Sequence, residues 1–164
     1  MKSIPMQTLA LEAFRPYGRF ASLTDPDGPA IGENPVLFFR DLLPLGSSGQ
    51  TLCASVTQAG PMELVVELME FHTHSWEAFM TLDTESCICV APATADARLD
   101  AGTLEAFRVP PCTMIYLHPG VWHYAPYPLG GATLHSLVLL PERAYANDCV
   151  KTSLPEGSRV MIGR

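Results

Sequence analysis

Basic residues are scarce in this chain. Lysine and arginine together number 10 against 17 aspartates and glutamates, which gives a formal net charge of −7 and a pI near 5.1. A protein that binds nucleic acid through its phosphates needs clustered lysine and arginine. The basic residues here are scattered, so we exclude nucleic acid as a partner.

Long apolar runs are missing as well. A membrane-spanning helix needs about 18 or more consecutive apolar residues, and no such run occurs in the sequence. The segment Met1–Ala10 contains one lysine and no apolar core of signal-peptide length. The sequence therefore predicts a cytoplasmic protein with no membrane partner.

Cysteine is present without the spacing of a thiolate metal site. No C-x2-C pair occurs, and an odd number of cysteines does not form a closed disulfide framework. We expect buried, reduced thiols of the kind found in cytosolic proteins. The five cysteines are Cys53, Cys87, Cys89, Cys112 and Cys149.

Proline and glycine divide the chain into short segments. With 15 prolines, 12 glycines and 48% hydrophobic residues, the composition is typical of a globular all-β protein. The length of 164 residues fits a single domain, 1–164. We expect one short helix near Gln7–Phe14 and an exposed loop over Thr24–Gly32. The predicted strands are Val36–Arg40, Thr51–Val56, Glu63–Phe71, Glu77–Leu82, Ser86–Val90, Leu104–Val109, Thr113–Leu117 and Ala132–Leu140.

Four of the five histidines fall in two short segments, Glu70–Phe79 and His118–Pro126. The cupin superfamily, a jelly-roll barrel, uses one segment of the form H-x-H-x(3,4)-E and another containing P-x-G-x-x-H. Both segments resemble that pattern, the second through Pro119–His123. Residues two apart on a strand share a face, so such segments can gather imidazoles and carboxylates. That donor set suits Zn, Fe, Ni or Mn.

The first segment allows two sets of ligands. His72, His74 and Glu77 would supply both histidines, but the gap to the glutamate is one residue short of the cupin spacing. Glu70, His72 and Glu77 restore the spacing and leave His74 in the turn, and on spacing we favour this set. A single histidine is often only a hydrogen-bonded or solvated residue, so the prediction depends on His72 and His123 together.

Beyond the superfamily, the chain resembles the ureidoglycolate lyase family along nearly its whole length. The similarity is most specific at Tyr116–His123, which is similar to that family's Y-H-x-x-V-W-H. The other matching segments are Phe14–Gly18, Glu70–His72, Glu77–Phe79, Thr103–Phe107, Asn147–Cys149 and Leu154–Pro155.

The resemblance implies a homodimeric lyase of allantoin catabolism that splits ureidoglycolate into glyoxylate and urea. In this chemistry a base takes the hydroxyl proton, an acid protonates the departing nitrogen, and a metal could bind the substrate's oxygens. We assign catalysis to Glu77, Glu70 and His118. Substrate binding is assigned to Tyr116, Tyr124, Trp76 and His135, the last because it alternates with Leu134 and is expected to point inward. A divalent metal ion is assigned to His72, His74, Glu77 and His123.

Two departures from the family pattern keep alternatives open. Glu77 stands where the family has glutamine, which favours metal binding, and Trp76 is bulky where the family has small residues. Another metal-dependent cupin enzyme acting on a small hydroxy or keto acid is therefore one alternative. A non-catalytic, metabolite-binding cupin is the other. If the protein dimerises, the strand Val36–Arg40 is the expected contact.

Overall fold

The computed structural model of the protein describes residues 2–46 and 49–163, and over these residues it is built almost entirely of β-strands. Short 3₁₀ turns lie at Ala101–Thr103 and Glu156–Ser158. The strands and helices in chain order are β1 (Lys2–Thr8), α1 (Leu11–Phe14), β2 (Gly18–Ser22), β3 (Ala30–Glu33), β4 (Val36–Phe39), β5 (Leu52–Ala59), β6 (Val65–Val66), β7 (Leu68–Phe71), β8 (Glu77–Thr81), β9 (Ser86–Ala91), β10 (Glu105–Val109), β11 (Thr113–Leu117), β12 (Trp122–His123), β13 (Tyr127–Pro128), β14 (Leu134–Pro141), α2 (Ala144–Asn147), β15 (Val150–Ser153) and β16 (Val160–Gly163).

Two sheets face each other. The larger has the order β15-β7-β12-β9-β10-β1-β16-β6 with β13 paired to β9, and the smaller has the order β2-β11-β8-β14-β5. Most pairs are antiparallel, whereas β1 runs parallel to both β10 and β16. This arrangement is the predicted all-β, cupin-type jelly roll with a short N-terminal helix.

Apolar side chains from both sheets fill the space between them. Phe79 and Ile115 of the smaller sheet pack in one buried cluster with Ile88 and Phe107 of the larger sheet. Phe14 of α1 joins the same cluster, because a helix this short is stable only where it can bury its apolar side chain.

The larger sheet is covered on its other face too. Met69, Trp122 and Ile162 belong to a second buried cluster, which also contains Cys87 and Cys89. Strand β9 is consequently buried along its whole length, in agreement with the apolar run Cys87–Ala91 that follows its first residue, Ser86. All five cysteines are free thiols, but only Cys87 and Cys89 are buried as predicted, whereas Cys53, Cys112 and Cys149 are partly exposed.

The N-terminal segment differs from the prediction. A helix was expected over Gln7–Phe14, but the structure begins it only at Leu11, and Lys2–Thr8 is strand β1. Strand β1 lies between β10 and β16, with Met6 opposite Ala106. This pairing with distant segments overrides the local helical preference, and a single sequence does not reveal it.

The predicted loop over Thr24–Gly32 also needs correction. Its last residues form β3, which pairs with β4 in a separate hairpin. The predicted dimer contact at Val36–Arg40 is therefore one strand of this hairpin. Its side chains at Ile31, Val36 and Phe38 are exposed, and the homodimer stays a prediction. Within the described residues, the helices are too short to cross a membrane.

Candidate metal centre

Four side chains converge between the two sheets. Each of Glu70, His72, Glu77 and His123 offers one ligand atom, and these atoms all lie within 4.8 Å of one another. The sheet register explains the convergence, because His123 of β12 is paired with Glu70 of β7. Directly paired residues share a face of a sheet, and His72 lies two residues beyond Glu70 on that same face. Glu77 approaches from the first position of β8 in the opposite sheet.

Backbone carbonyl groups fix the orientation of both imidazoles. Nδ1 of His72 donates to the carbonyl oxygen of Asp148 at 2.6 Å, and Nδ1 of His123 donates to that of Val121 at 2.8 Å. A carbonyl oxygen only accepts, so Nδ1 carries the proton in each ring. The Nε2 atoms point to one oxygen of Glu77, Oε2, at distances of 3.1 and 3.3 Å. Metal-binding histidines are oriented in this way in proteins.

The electrostatics of the cluster keep Glu77 ionised. Burial alone would raise its pKa, but His123 and His72 outweigh burial and lower the pKa of Glu77 from 4.5 to about 2. Burial would also lower the pKa of His123, and the facing Glu77 carboxylate outweighs it, so that pKa is raised. Either a proton on Nε2 or a metal cation can balance the charge of Glu77.

The donor set fits a first-row divalent ion. Two imidazole nitrogens and a carboxylate oxygen are the ligands that Zn²⁺, Fe²⁺ and Mn²⁺ accept in proteins. His72 and His123 are each only 3% exposed, and the Glu77 side chain is 13% exposed. These three residues would hold the ion, and Glu70, whose side chain is 17% exposed, lies beside them as the fourth member of the cluster.

Asp148 clamps the turn that follows His72. Its carboxylate accepts hydrogen bonds from the backbone N–H groups of Thr73, His74 and Ser75 at 2.8, 2.9 and 2.7 Å. These donors outweigh the effect of burial and lower the pKa of Asp148. The backbone carbonyl of Asp148 also accepts from His72. Asp148, which directly follows α2, therefore fixes both a candidate ligand and the turn next to it.

The sequence did not single out Asp148 for a role. The only signal was the resemblance of Asn147–Cys149 to the family's C-terminal tail. Its partners are more than 70 residues away along the chain, a separation that no local pattern reveals.

Two further groups contact Glu70. The Cys149 thiol donates to Glu70 Oε2 at 3.3 Å, and the Lys151 ammonium lies 3.3 Å from the same oxygen. Burial, then the Glu70 charge, raises the pKa of Cys149 to about 11, so the thiol is protonated at neutral pH. The Glu70 charge raises the pKa of Lys151. Neither residue was predicted for the site.

His74 lies at the rim of the cluster rather than in it. Its side chain is 87% exposed, and its Nδ1 is 3.7 Å from Asp148 Oδ1. Of the two ligand sets that the sequence allowed, the structure brings together Glu70, His72 and Glu77, so we leave His74 out of the proposed ligands.

His135 is placed elsewhere, and the expectation that it points inward is wrong. Leu134 is the buried residue of the two, and alternation along β14 turns His135 to the other face. There its Nδ1 contacts Asp83 Oδ2 at 2.5 Å, and its backbone N–H donates to Asp83 Oδ1. The sequence did not indicate Asp83 as the partner of His135. The two residues are 52 positions apart, and they meet only because the loop after β8 folds beside β14.

Trp76, Tyr116 and His118 form an aromatic stack. The ring centroids of Trp76 and Tyr116 are 5.5 Å apart, and those of Tyr116 and His118 are 5.6 Å apart. Burial and the nearby Arg19 charge lower the pKa of His118, so this imidazole is neutral at pH 7.

The stack lies on the opposite face of the smaller sheet from Glu77. Tyr116 is paired with Ala78, whereas Glu77 is paired with Leu117, and neighbouring residues of a strand point to opposite faces. Tyr124 packs against the second buried cluster, where it lines a surface pocket of about 380 Å³ with Met62. The structure therefore does not bring Trp76, Tyr116 or His118 to the candidate ligands, and Tyr124 is not a member of the cluster of four.

A sequence model described as ureidoglycolate lyase matches residues 1–161 of the chain. The chain belongs to the ureidoglycolate lyase family. A protein of Agrobacterium fabrum named "Putative ureidoglycolate lyase" is 29% identical over 132 residues, which are 79% of this chain and 77% of that protein. Membership of this family makes the protein an enzyme, a carbon–nitrogen lyase.

Solved structures of oxalate decarboxylase show a more distant similarity. The Bacillus subtilis enzyme matches with a TM-score of 0.45 and 16% identity over 66% of this chain. The Lactobacillus farciminis enzyme matches with a TM-score of 0.46 and 17% identity over 64% of this chain. In both cases the match covers 27% of the decarboxylase chain, so the present chain corresponds to about a quarter of a decarboxylase chain.

Proposed function

We propose that this enzyme splits ureidoglycolate into glyoxylate and urea at the cluster of Glu70, His72, Glu77 and His123. The observation that carries the proposal is the convergence of two oriented imidazole Nε2 atoms on one carboxylate oxygen, at 3.1 and 3.3 Å. We assign His72, Glu77 and His123 as ligands of one divalent ion, Zn, Fe, Ni or Mn. When bound, that ion supplies Lewis acidity toward the hydroxyl and carboxylate oxygens of the substrate.

Glu70 is the better candidate for proton transfer. A base must accept the hydroxyl proton of ureidoglycolate as the carbonyl group of glyoxylate forms and the carbon–nitrogen bond breaks. The low pKa of Glu77, about 2, makes it a weak base, and two imidazoles hold it in place. Glu70 is contacted by the Cys149 thiol and the Lys151 ammonium rather than by the imidazoles. It can accept the hydroxyl proton and deliver it to the departing urea nitrogen, which balances the reaction.

The same ligands support one alternative within the cupins. Two histidines and one carboxylate on one face are also the ligand set of non-haem iron oxygenases, so a metal-dependent reaction of another small hydroxy or keto acid is the second candidate. The family assignment argues against the third reading, a non-catalytic binding module. A homodimer, a role in allantoin catabolism and a cytoplasmic location belong to the proposal with the lyase.

The deciding experiment measures glyoxylate released from racemic ureidoglycolate by the full-length protein. The assay is run before chelation, after chelation, and after each of Zn²⁺, Fe²⁺, Ni²⁺ and Mn²⁺ is returned. We expect release that chelation abolishes and one of the ions restores. Folded protein that releases no glyoxylate with any of these ions would rule out the proposed reaction. Oxygen consumption with glycolate in the same series would favour the oxygenase.

A further inference from the structure

Lys151 stands in the same row of the larger sheet as the candidate metal centre. The register pairs Lys151 of β15 with Glu70 of β7, and Glu70 in turn with His123 of β12. Directly paired residues share a face, so the lysine, the proposed base and one candidate ligand form a line across three neighbouring strands. Lys151 Nζ is 3.3 Å from Glu70 Oε2.

A cation at this position is unusual in so acidic a chain. The formal net charge is −7, and Lys151 is one of two lysines, the other being Lys2. The cluster itself holds two carboxylates, Glu70 and Glu77, and they balance the charge of the proposed divalent ion, so the loaded centre has no net positive charge to attract an anionic substrate. A positive group beside the centre supplies that attraction for a negatively charged ligand.

Stability does not account for the lysine. Its side chain is 56% exposed, and ion pairs this open to water contribute little to folding, because solvent screens them. An ammonium group has three donors. The contact with Glu70 uses one of them, which leaves the others available to a ligand that enters from solvent.

We propose that Lys151 binds the carboxylate of a small α-hydroxy or α-keto acid and thereby makes the enzyme selective for anionic substrates. The assignment to ureidoglycolate in particular rests on the proposed function. With its carboxylate on Lys151, the substrate's adjacent hydroxyl group lies toward Glu70, the next residue in the row, and toward the imidazoles beyond it.

Glycolate and glycolamide test the proposal, because they have nearly the same shape and differ in the charge of one end. Binding of each to the metal-loaded full-length protein is measured by titration calorimetry for the wild type, Lys151→Met, Lys151→Arg and the control Lys2→Met. Lys2 is exposed on β1, and four strands of the sheet lie between β1 and β15. Metal content and melting temperature are recorded for every variant.

We expect Lys151→Met to weaken glycolate binding by about 10- to 100-fold, the size of one hydrogen bond to a charged group. Glycolamide binding stays unchanged, Lys151→Arg retains most of the glycolate affinity, and Lys2→Met behaves as the wild type. Equal loss of both ligands in Lys151→Met would overturn the proposal in favour of a structural role beside Glu70. Unchanged glycolate affinity, or a wild type that binds neither compound, would overturn it too.

The binding assay does not depend on turnover. A protein that releases no glyoxylate but shows the charge-dependent loss in Lys151→Met contradicts the lyase reaction and supports the carboxylate site. A protein that splits ureidoglycolate and shows no such loss contradicts the site and supports the reaction.

Discussion

Two pairs of histidines in this molecule differ in what holds their Nδ1 atoms. His72 and His123 donate to backbone carbonyls and are buried, so their Nε2 atoms are turned to a single carboxylate oxygen. Nδ1 of His74 and of His135 instead faces an aspartate carboxylate, and both of these imidazoles are open to solvent. Either kind of acceptor on Nδ1 suits a metal-binding histidine, so burial separates the two pairs. His72 and His123 are each 3% exposed, whereas the side chains of His74 and His135 are 87% and 38% exposed and form only solvent-screened contacts.

The largest effects should come from exchanging the ligand histidines. We expect His72→Ala and His123→Ala each to lose the bound ion and to lower glyoxylate release by about 1000-fold or more, since the oriented nitrogen is removed. His74→Ala and His135→Ala are the matched controls and should retain metal and turnover. Metal analysis and the release assay measure both. Retention of metal by His123→Ala, or its loss from His135→Ala, would end the distinction between the two pairs.

Substitution of the two glutamates of the cluster should affect different properties, metal affinity for Glu77 and kcat for Glu70. We expect Glu77→Gln to lose metal affinity and turnover together. Glu70→Gln should keep the ion and lower kcat by about 100- to 10,000-fold, the usual range for a general base. Glu85→Gln, which removes an exposed carboxylate paired with Arg108, is the control. Full turnover by Glu70→Gln would remove it as the base.

Removal of the Asp148 side chain should have a smaller effect on metal binding than removal of a ligand, because Asp148 holds the turn after His72 but is not itself a proposed ligand. We expect Asp148→Ala to weaken metal binding by about 10- to 100-fold, as loss of a supporting contact does. Amide hydrogen exchange at Thr73, His74 and Ser75 should become faster, while Asp148→Asn, which keeps an acceptor oxygen, should fall between. Asp100→Ala removes a comparable cap at an exposed turn, where Asp100 accepts from Gly102 N. Equal metal affinity in Asp148→Ala and Asp100→Ala would contradict the role of the clamp.

The pH dependence of stability should give the smallest change. The pKa of Glu77 is lowered in the folded protein to about 2, so its contribution is present above about pH 4.5 and is lost as the pH falls toward 2. The pKa of His123 is raised above 6.5, so its contribution is present below pH 6.5 and is lost as the pH rises through the folded value. We expect the melting temperature of chelator-treated protein to be highest between about pH 4.5 and pH 6.5 and to decrease on either side of this range.

The melting temperatures of two histidine variants, measured as a function of pH, test whether the cluster causes this dependence. His123→Ala should flatten the decline above pH 6.5, and His135→Ala should follow the wild type. A His123→Ala profile that coincides with the wild type above pH 6.5 would contradict the assignment.

Local patterns in the sequence were enough to predict the fold class and to propose part of the site. Alternation along the strands and the turn residues indicated an all-β barrel, and the spacing between Glu70, His72 and Glu77 fits one face of a strand and the next strand. The structure places these residues together with His123. Glu70 and His72 are two residues apart, so extended backbone alone places them on one face. This is a local property that does not depend on how the strands pair.

The remainder depends on contacts between distant segments. Asp148 and Lys151 reach the cluster only because β15 pairs with β7, and β1 is a strand only because β10 and β16 lie on either side of it. His135 was expected to point inward from alternation alone, yet the register of β14 puts Leu134 in the interior. A one-residue shift of register exchanges the two faces of a strand, and no local signal fixed it here.

The position of a bound ion tests the central claim most directly. Crystals of the wild-type protein grown with Mn²⁺ should give an anomalous difference peak about 2.0–2.3 Å from Nε2 of His72, Nε2 of His123 and a carboxylate oxygen of Glu77. The peak should be absent from His123→Ala crystals grown in the same way. A peak centred on His74 or His135, or wild-type crystals with no peak between the two sheets, would contradict the account.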